Sequence, residues 1–545
     1  MTTTVATKAQ PSVTVKKPAK IVVPPFDVVT DSSGDRFLVI THKALLEAVR
    51  DSCRNLEGLW DAVPKVSVAD LFEDLPELKS HAQHTGKLTV LTRLIAFLEN
   101  EHSTEIERMN TMLKNGVISF TALRLLLKPG TEIFISGGYG QGGKISECNY
   151  RHSPWGASLE IEYEFVTSDG SKLTSCTANV SIGAYRGVVN INQLHVQPIT
   201  PEQKHMLSTR GQSYASMCVG AHYKQVTGHM EVVKWWSYTQ MRATGRMMVD
   251  VATHNQFKED RHRHSRSSTN PIQSDSLWMC EPYITGFSFV TKQWGRFPVE
   301  QISDISFRAD AYDQLVLDPE KKTMVRALVE DSSSGFSDII SGKGGGCIFL
   351  LHGEPGVGKT LTAEAVSELL RRPLYSVSVG ELGTDPASLE KNLRQILDVA
   401  QIWNAVILID EADIFLEKRT SGDILRNAMV GIFLRLLEYH QGVMFLTTNR
   451  VNEFDSAFHS RISVALRYSA LSVQARESIW RNLLSAAQVT DLDVVSLAQH
   501  EYNGRQIKNT IRLAQSMARQ EGVAVAAEHI ARCMQVSQQF MEDVA

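Results

Sequence analysis

The residues best suited to chemistry lie between Gly353 and Thr360, which read Gly-Glu-Pro-Gly-Val-Gly-Lys-Thr and complete a G-x-x-x-x-G-K-T pattern. An apolar run (CIFLLH) leads into it and a helical run (LTAEAVSELL) follows. In a strand–loop–helix setting the glycines let backbone N–H groups turn inward around phosphates, the lysine reaches the β and γ phosphates, and the threonine hydroxyl joins Mg²⁺. Gly353, Glu354, Pro355, Gly356, Val357, Gly358, Lys359, Thr360 and the adjoining Leu361 are therefore the expected nucleotide-binding segment. A second element, Val406-Ile-Leu-Ile-Asp-Glu411, is an apolar strand with two carboxylates at its carboxyl end, where ligands sit in open α/β sheets. Asp410 is placed to hold Mg²⁺ together with Thr360. Glu411 is placed to take a proton from an attacking water or to polarise it.

The elements that must position these residues follow from the texture of the chain. From residue 345, GGCIFLLHG, PLYSVSV, NAVILID and VMFLTTN are strand-length apolar runs separated by helical stretches, which predicts a parallel, doubly wound sheet. Residues 471–545 hold helical patterns alone, such as QARESIWRNLLSAA, and read as a small helical lid. A chain of 545 residues is too long for one core. Five segments are expected: a disordered tail over 1–36, a helical segment over 37–130, a β-rich domain over 131–300, an α/β nucleotide-binding subdomain over 301–470 and the lid over 471–545. The fold class is thus α/β, a P-loop sheet with a helical lid, preceded by an α+β and mostly β N-terminal region.

Bulk properties narrow the partners. A net charge of −4 gives no footprint for nucleic acid. No apolar run reaches the length of a membrane span. The seven cysteines are scattered without paired spacing, which argues against a zinc site or disulfide framework and fits a reducing compartment. The first 20 residues lack acidic residues, so a mitochondrial transit peptide is one reading. The first arginine is Arg36, and this favours a disordered tail and a cytoplasmic or nuclear chain.

Three other features invite chemistry and are better read plainly. Gly138, Gly140 and Gly143 match a dinucleotide fingerprint, but polar sequence follows in place of a helix, so a glycine-rich turn between strands is expected. Arg261, His262, Arg263, His264 and Arg266 lie in a polar stretch, 258–276, with nothing apolar to position them; a solvated loop is expected. Residues 410–413 spell Asp-Glu-Ala-Asp, as in the helicases named for that tetrad. Here, however, the next apolar run ends in Thr447-Thr448-Asn449, and the second helicase core is missing.

Residues 305–545 resemble the AAA family of ATPases. The resemblance implies that Asn449, at the end of the next strand, positions the hydrolytic water. It also makes Phe454–Ile462 similar to the family's second region of homology, with Arg461 matching an arginine finger that reaches the γ-phosphate of a neighbouring subunit. The family often has two arginines there and this chain shows one; an ordinary surface arginine is the alternative. Asn503-Gly-Arg-Gln506 resembles a second sensor, in which Arg505 either touches the γ-phosphate or pairs on the surface. Residues 67–300 look similar to the N-terminal domain of unknown function of large fungal ATPases in this family, a subset in which Asp338 would lie close to the adenine.

The implied activity is hydrolysis of ATP with Mg²⁺ by a homo-hexameric ring that remodels an unidentified protein partner. A nucleotide-dependent assembly scaffold or switch with slow hydrolysis is the alternative. Threading members place an aromatic residue on the loop after the second strand. The corresponding Gly380–Pro386 has none, its one large apolar side chain being Leu382, so action through a moving N-terminal domain is expected in place of pore threading.

Overall fold

The computed structural model describes residues 24–544 apart from 32–34, 54–55, 85–88, 155, 235–236, 258–271, 332–345, 418–422, 451–455 and 490–491. The arginine and histidine cluster at 261–266, Asp338, the start of the Phe454–Ile462 segment and most of the expected tail lie outside the described residues.

The chain divides into two compact units. Among the described residues the first covers 24–165 and 175–208. Within it, a three-stranded sheet (Phe26–Thr30, Arg36–Ile40, Lys65–Ser67) packs with helices Lys43–Ser52, Val68–Glu73, Leu75–His84 and Thr89–Glu101. Leucines at helical spacing (Leu45; Leu71, Leu75 and Leu78; Leu91, Leu94 and Leu98) form the shared core. The 37–130 stretch therefore carries short strands as well as its helices. A five-stranded sheet follows in the order Val196–Pro198, Glu132–Ile135, Gln141–Ser153, Gly156–Ser168, Leu173–Gly183. Gly137, Gly138 and Gly140, with φ of 138°, 53° and 70°, make the turn between Glu132–Ile135 and Gln141–Ser153, a hairpin and not a helix entry.

The second unit holds a seven-stranded antiparallel sheet and everything C-terminal to it. This sheet runs Ser237–Arg242, His229–Lys234, Gln293–Pro298, Tyr283–Ser288, Gly245–Val249, His222–Val226, Ile302–Ser303. The expected β-rich stretch 131–300 thus supplies strands to three separate sheets among the described residues, the third a two-stranded pairing of Val188–Asn190 with Val117–Ser119.

The five-stranded C-terminal sheet is parallel, in the order Leu374–Val377, Val406–Ile409, Val443–Thr448, Cys347–Gly353, Val464–Tyr468. Its central strands are buried on both faces and are accordingly near-continuous in Val, Ile, Leu and Phe. Helices Lys359–Leu370, Pro386–Ile402 and Ile424–Glu438 cover it, and four helices from Val473 to Val544 form a lid around Trp480, Ile507 and Ile511. The architecture is the α/β sheet with helical lid that the sequence predicts.

The seven-stranded sheet is fastened to this core. Phe287, Phe289 and Trp294 of the Tyr283–Pro298 hairpin meet Tyr375 and Trp403, with ring centroids 5.5–6.1 Å apart. Trp403 Nε1 donates to the buried Asp250 carboxylate at 2.7 Å. Ion pairs Arg246–Glu368 (3.0 Å) and Lys292–Glu381 (2.7 Å) flank the aromatic group.

Candidate functional site

The carboxyl ends of three adjacent strands bring the site together. Cys347–Gly353 delivers the glycine loop, Val406–Ile409 delivers Asp410 and Glu411, and Val443–Thr448 between them delivers Asn449. Gly356 and Gly358 adopt φ of 81° and 106°, left-handed values that only glycine takes without strain. Gly358 caps the helix Lys359–Leu370, whose free N–H groups and dipole favour an anion at that end.

Lys359 is buried at the first turn. Its Nζ donates to the carbonyls of Gly353 and Glu354, each at 2.7 Å, and to Asn449 Oδ1 at 2.8 Å. Burial lowers the ammonium below its ordinary value and Asp410 and Asp413 oppose that shift, while Arg505 adds to it as a nearby positive charge. Thr360 Oγ1 stands 3.4 Å from both Asp410 oxygens, so a hydroxyl and a carboxylate, both hard oxygen donors, face each other. Glu411 is exposed and has φ of 54°, a left-handed value that costs a non-glycine residue about 1 kcal/mol or more.

The lid closes over the loop through its third helix, Gly504–Glu521. Asn503 and Gln506 form a reciprocal capping box there, and the Gly504 N–H donates to the Gly356 carbonyl at 3.0 Å. A Cβ at Gly356 would collide with the Asn503 side chain, so the glycine also makes room for the lid. Arg505 sits exposed in the first turn of that helix, near enough to Lys359 for their charges to interact.

Lys359, Thr360, Asp410, Glu411, Asn449 and the N-terminus of the sensor-like helix are thus gathered at one place. Arg461 is turned elsewhere: its guanidinium donates to the Ala457 carbonyl (2.9 Å) and pairs with Glu438 (3.3 Å). Leu361 points outward, 54% exposed. Leu382 corrects an expectation. The segment after Leu374–Val377 is no open loop but a short helix, Val379–Leu382, closed by a Ser378–Glu381 capping box, and Leu382 is fully buried against Leu389 and Leu393. The physical reason is the capping pair: Ser378 and Glu381 satisfy each other's backbone donors and start a helix where Gly380 and Gly383 suggest a loop.

Two threonines escape the motif reading. Thr447 and Thr448 are each 1% exposed at the end of an otherwise apolar strand. Thr448 bonds Asp413 and the Arg450 N–H, while Thr447 bonds Asp410 and Glu411. The available signal was the hydroxyl pair itself, placed where burial alone would select valine.

Comparison with known proteins finds the site inside a matched domain. Residues 349–469 match the model of the "ATPase family associated with various cellular activities (AAA)", and residues 108–203 match a domain of unknown function, DUF7025. The chain is 28% identical to the human ATPase family AAA domain-containing protein 3B over 182 residues, 32% of this chain and 28% of that protein. It is 39% identical to the mitochondrial Lon protease homolog of Yarrowia lipolytica over 122 residues, 20% of this chain and 10% of that protein. To the outer mitochondrial transmembrane helix translocase of Danio rerio it is 28% identical over 176 residues, 30% of this chain and 46% of that protein. The chain spans less than half the length of each of these relatives. Among the described residues no helix is long and apolar enough to cross a membrane.

Proposed function

We propose that this chain, which carries an AAA domain behind a DUF7025 domain, binds ATP with Mg²⁺ and hydrolyses it to remodel a protein partner. The observation that carries this reading is the meeting of Lys359 Nζ with the glycine-loop carbonyls and Asn449, beside the facing Thr360 and Asp410. The donor set fits Mg²⁺, which takes few protein oxygens and keeps phosphate and water in its remaining positions. When bound, the ion would neutralise phosphate charge.

The chain's own groups perform the remaining roles. The glycine-loop N–H groups and the helix N-terminus at Lys359 hold the phosphates, and Lys359 supplies the cation at their far end. Glu411 accepts the proton of the attacking water at its exposed carboxylate, and the Asn449 amide aligns that water. Arg461 acts in a neighbouring subunit's site, which calls for a ring, proposed as a homo-hexamer. Arg505 joins the γ-phosphate from the lid. The pairing of an AAA domain with DUF7025 in one chain supports kinship with the large fungal ATPases. The proposed compartment is cytosol or nucleus, supported by seven buried, free cysteines. The names of two matched relatives speak for mitochondria, and imaging of a tagged chain separates the two.

One observation favours the second reading, an assembly switch with slow hydrolysis: Arg461 is held by Glu438 of its own subunit. A partner-independent, slow basal rate is the signature of that switch.

Titration with a fluorescent ATP analogue tests the primary reading. Lys359→Ala is expected to weaken binding by about 100-fold or more, because the phosphates lose a buried charge-assisted donor. Equal affinity in the variant and the wild type would overturn it.

A further inference from the structure

We infer that Thr447 is a positioning residue for hydrolysis, one whose hydroxyl and carbonyl together fix the Asp410–Glu411–Ala412 turn. The inference rests on the reading that Asp410 serves the metal and Glu411 the water.

Thr447 lies next to that turn because Leu446 pairs with Ile409 in the parallel sheet, which brings the following residue of each strand side by side. Its Oγ1 accepts the Glu411 N–H at 2.9 Å. An amide can only donate, so the one hydroxyl proton of Thr447 is left for its other neighbour, the Asp410 carboxylate. The Thr447 carbonyl in turn accepts the Ala412 N–H at 2.9 Å. Three consecutive residues are therefore tied to one side chain and its own backbone.

The need for such a tie is visible in Glu411. A glutamate at φ of 54° persists only where its surroundings over-determine the backbone. The bond from its N–H to Thr447, with the flanking ties at Asp410 and Ala412, does so and leaves the Glu411 carboxylate facing solvent. Through the same hydroxyl, Asp410 is held with both oxygens turned to Thr360. One buried oxygen thus sets the orientation of both the metal-side and the water-side carboxylates. Valine has the shape of threonine without the hydroxyl; serine keeps the hydroxyl.

Full-length Thr447→Val and Thr447→Ser, with Thr447→Ala as the substitute should valine not fold, test the assignment by two readouts. One is kcat and ATP affinity with Mg²⁺. The other is amide exchange, by mass spectrometry, of the peptide spanning Ile409–Asp413 in nucleotide-free protein. Thr447→Val is expected to lower kcat by about tenfold or more at nearly unchanged ATP affinity, the loss of a bond to a charged group. Exchange of the peptide should quicken by a similar factor, and serine should restore both. Wild-type kcat in Thr447→Val, unchanged protection of the peptide, or serine as impaired as valine would each overturn the inference. A wild type that releases no phosphate would sink the ATPase reading instead, while exchange still decides whether Thr447 holds the turn.

Discussion

Lys359 ends among three oxygens, and the identity of those oxygens explains how much of the site one chain can reveal. Two are carbonyls of its own loop and the third belongs to Asn449, 90 residues away. Asn449→Ala is accordingly expected to leave ATP affinity within a few-fold of wild type while slowing turnover about tenfold; isothermal titration alongside phosphate release checks both halves. A second residue-scale effect lies away from the site. His440 is 6% exposed, and burial holds its imidazole down at about 4 against an ordinary 6.5. Between about pH 6.5 and pH 4 the unfolded chain binds a proton that the folded chain refuses, so stability falls as pH drops through that window. His440→Gln should remove as much as about 3 kcal/mol of the stability change across that window, seen as a weaker pH dependence of the denaturation midpoint. The motif residues were legible because phosphate chemistry dictates residue types at consecutive positions. Thr447 was not, since nothing along the chain says that a buried strand-end hydroxyl will meet a carboxylate 37 residues earlier.

Among the elements, the alternation of strands and helices after residue 345 was readable because parallel strands covered on both faces must be continuously apolar. The attachment of the seven-stranded sheet was not. It depends on Trp403, whose apolar body serves the core and whose N–H serves Asp250. Trp403→Phe keeps an aromatic ring and removes the donor, leaving the carboxylate of Asp250, 2% exposed, with the Thr253 N–H alone among its described partners. A loss of about 1–3 kcal/mol in urea denaturation is expected, with ATP affinity little changed; unaltered stability would mean the bond is incidental. Leu382→Ala should likewise cost about 2–5 kcal/mol as a buried truncation. Its effect on any unfolding assay would then report stability and not grip on a client. The helix that holds Leu382 is also paired with the Tyr283–Pro298 hairpin of the seven-stranded sheet through Lys292–Glu381.

At the scale of the whole molecule, the proposed role of Arg461 is to complete a site on a neighbouring subunit. Mixtures of Arg461→Ala and Glu411→Gln subunits should recover part of the activity that each variant lacks alone, because a finger acting in trans lets some interfaces join an intact Arg461 to an intact Glu411. Inactivity at every mixing ratio would confine Arg461 to its contact with Glu438. The claim beneath all of this is that one carboxylate drives ATP hydrolysis at the glycine loop, and single-turnover release of labelled γ-phosphate with Mg²⁺ tests it most directly. The full-length wild type should release phosphate while Glu411→Gln binds the same ATP and releases it at least about 100-fold more slowly. Equal release rates in the two proteins would contradict the account.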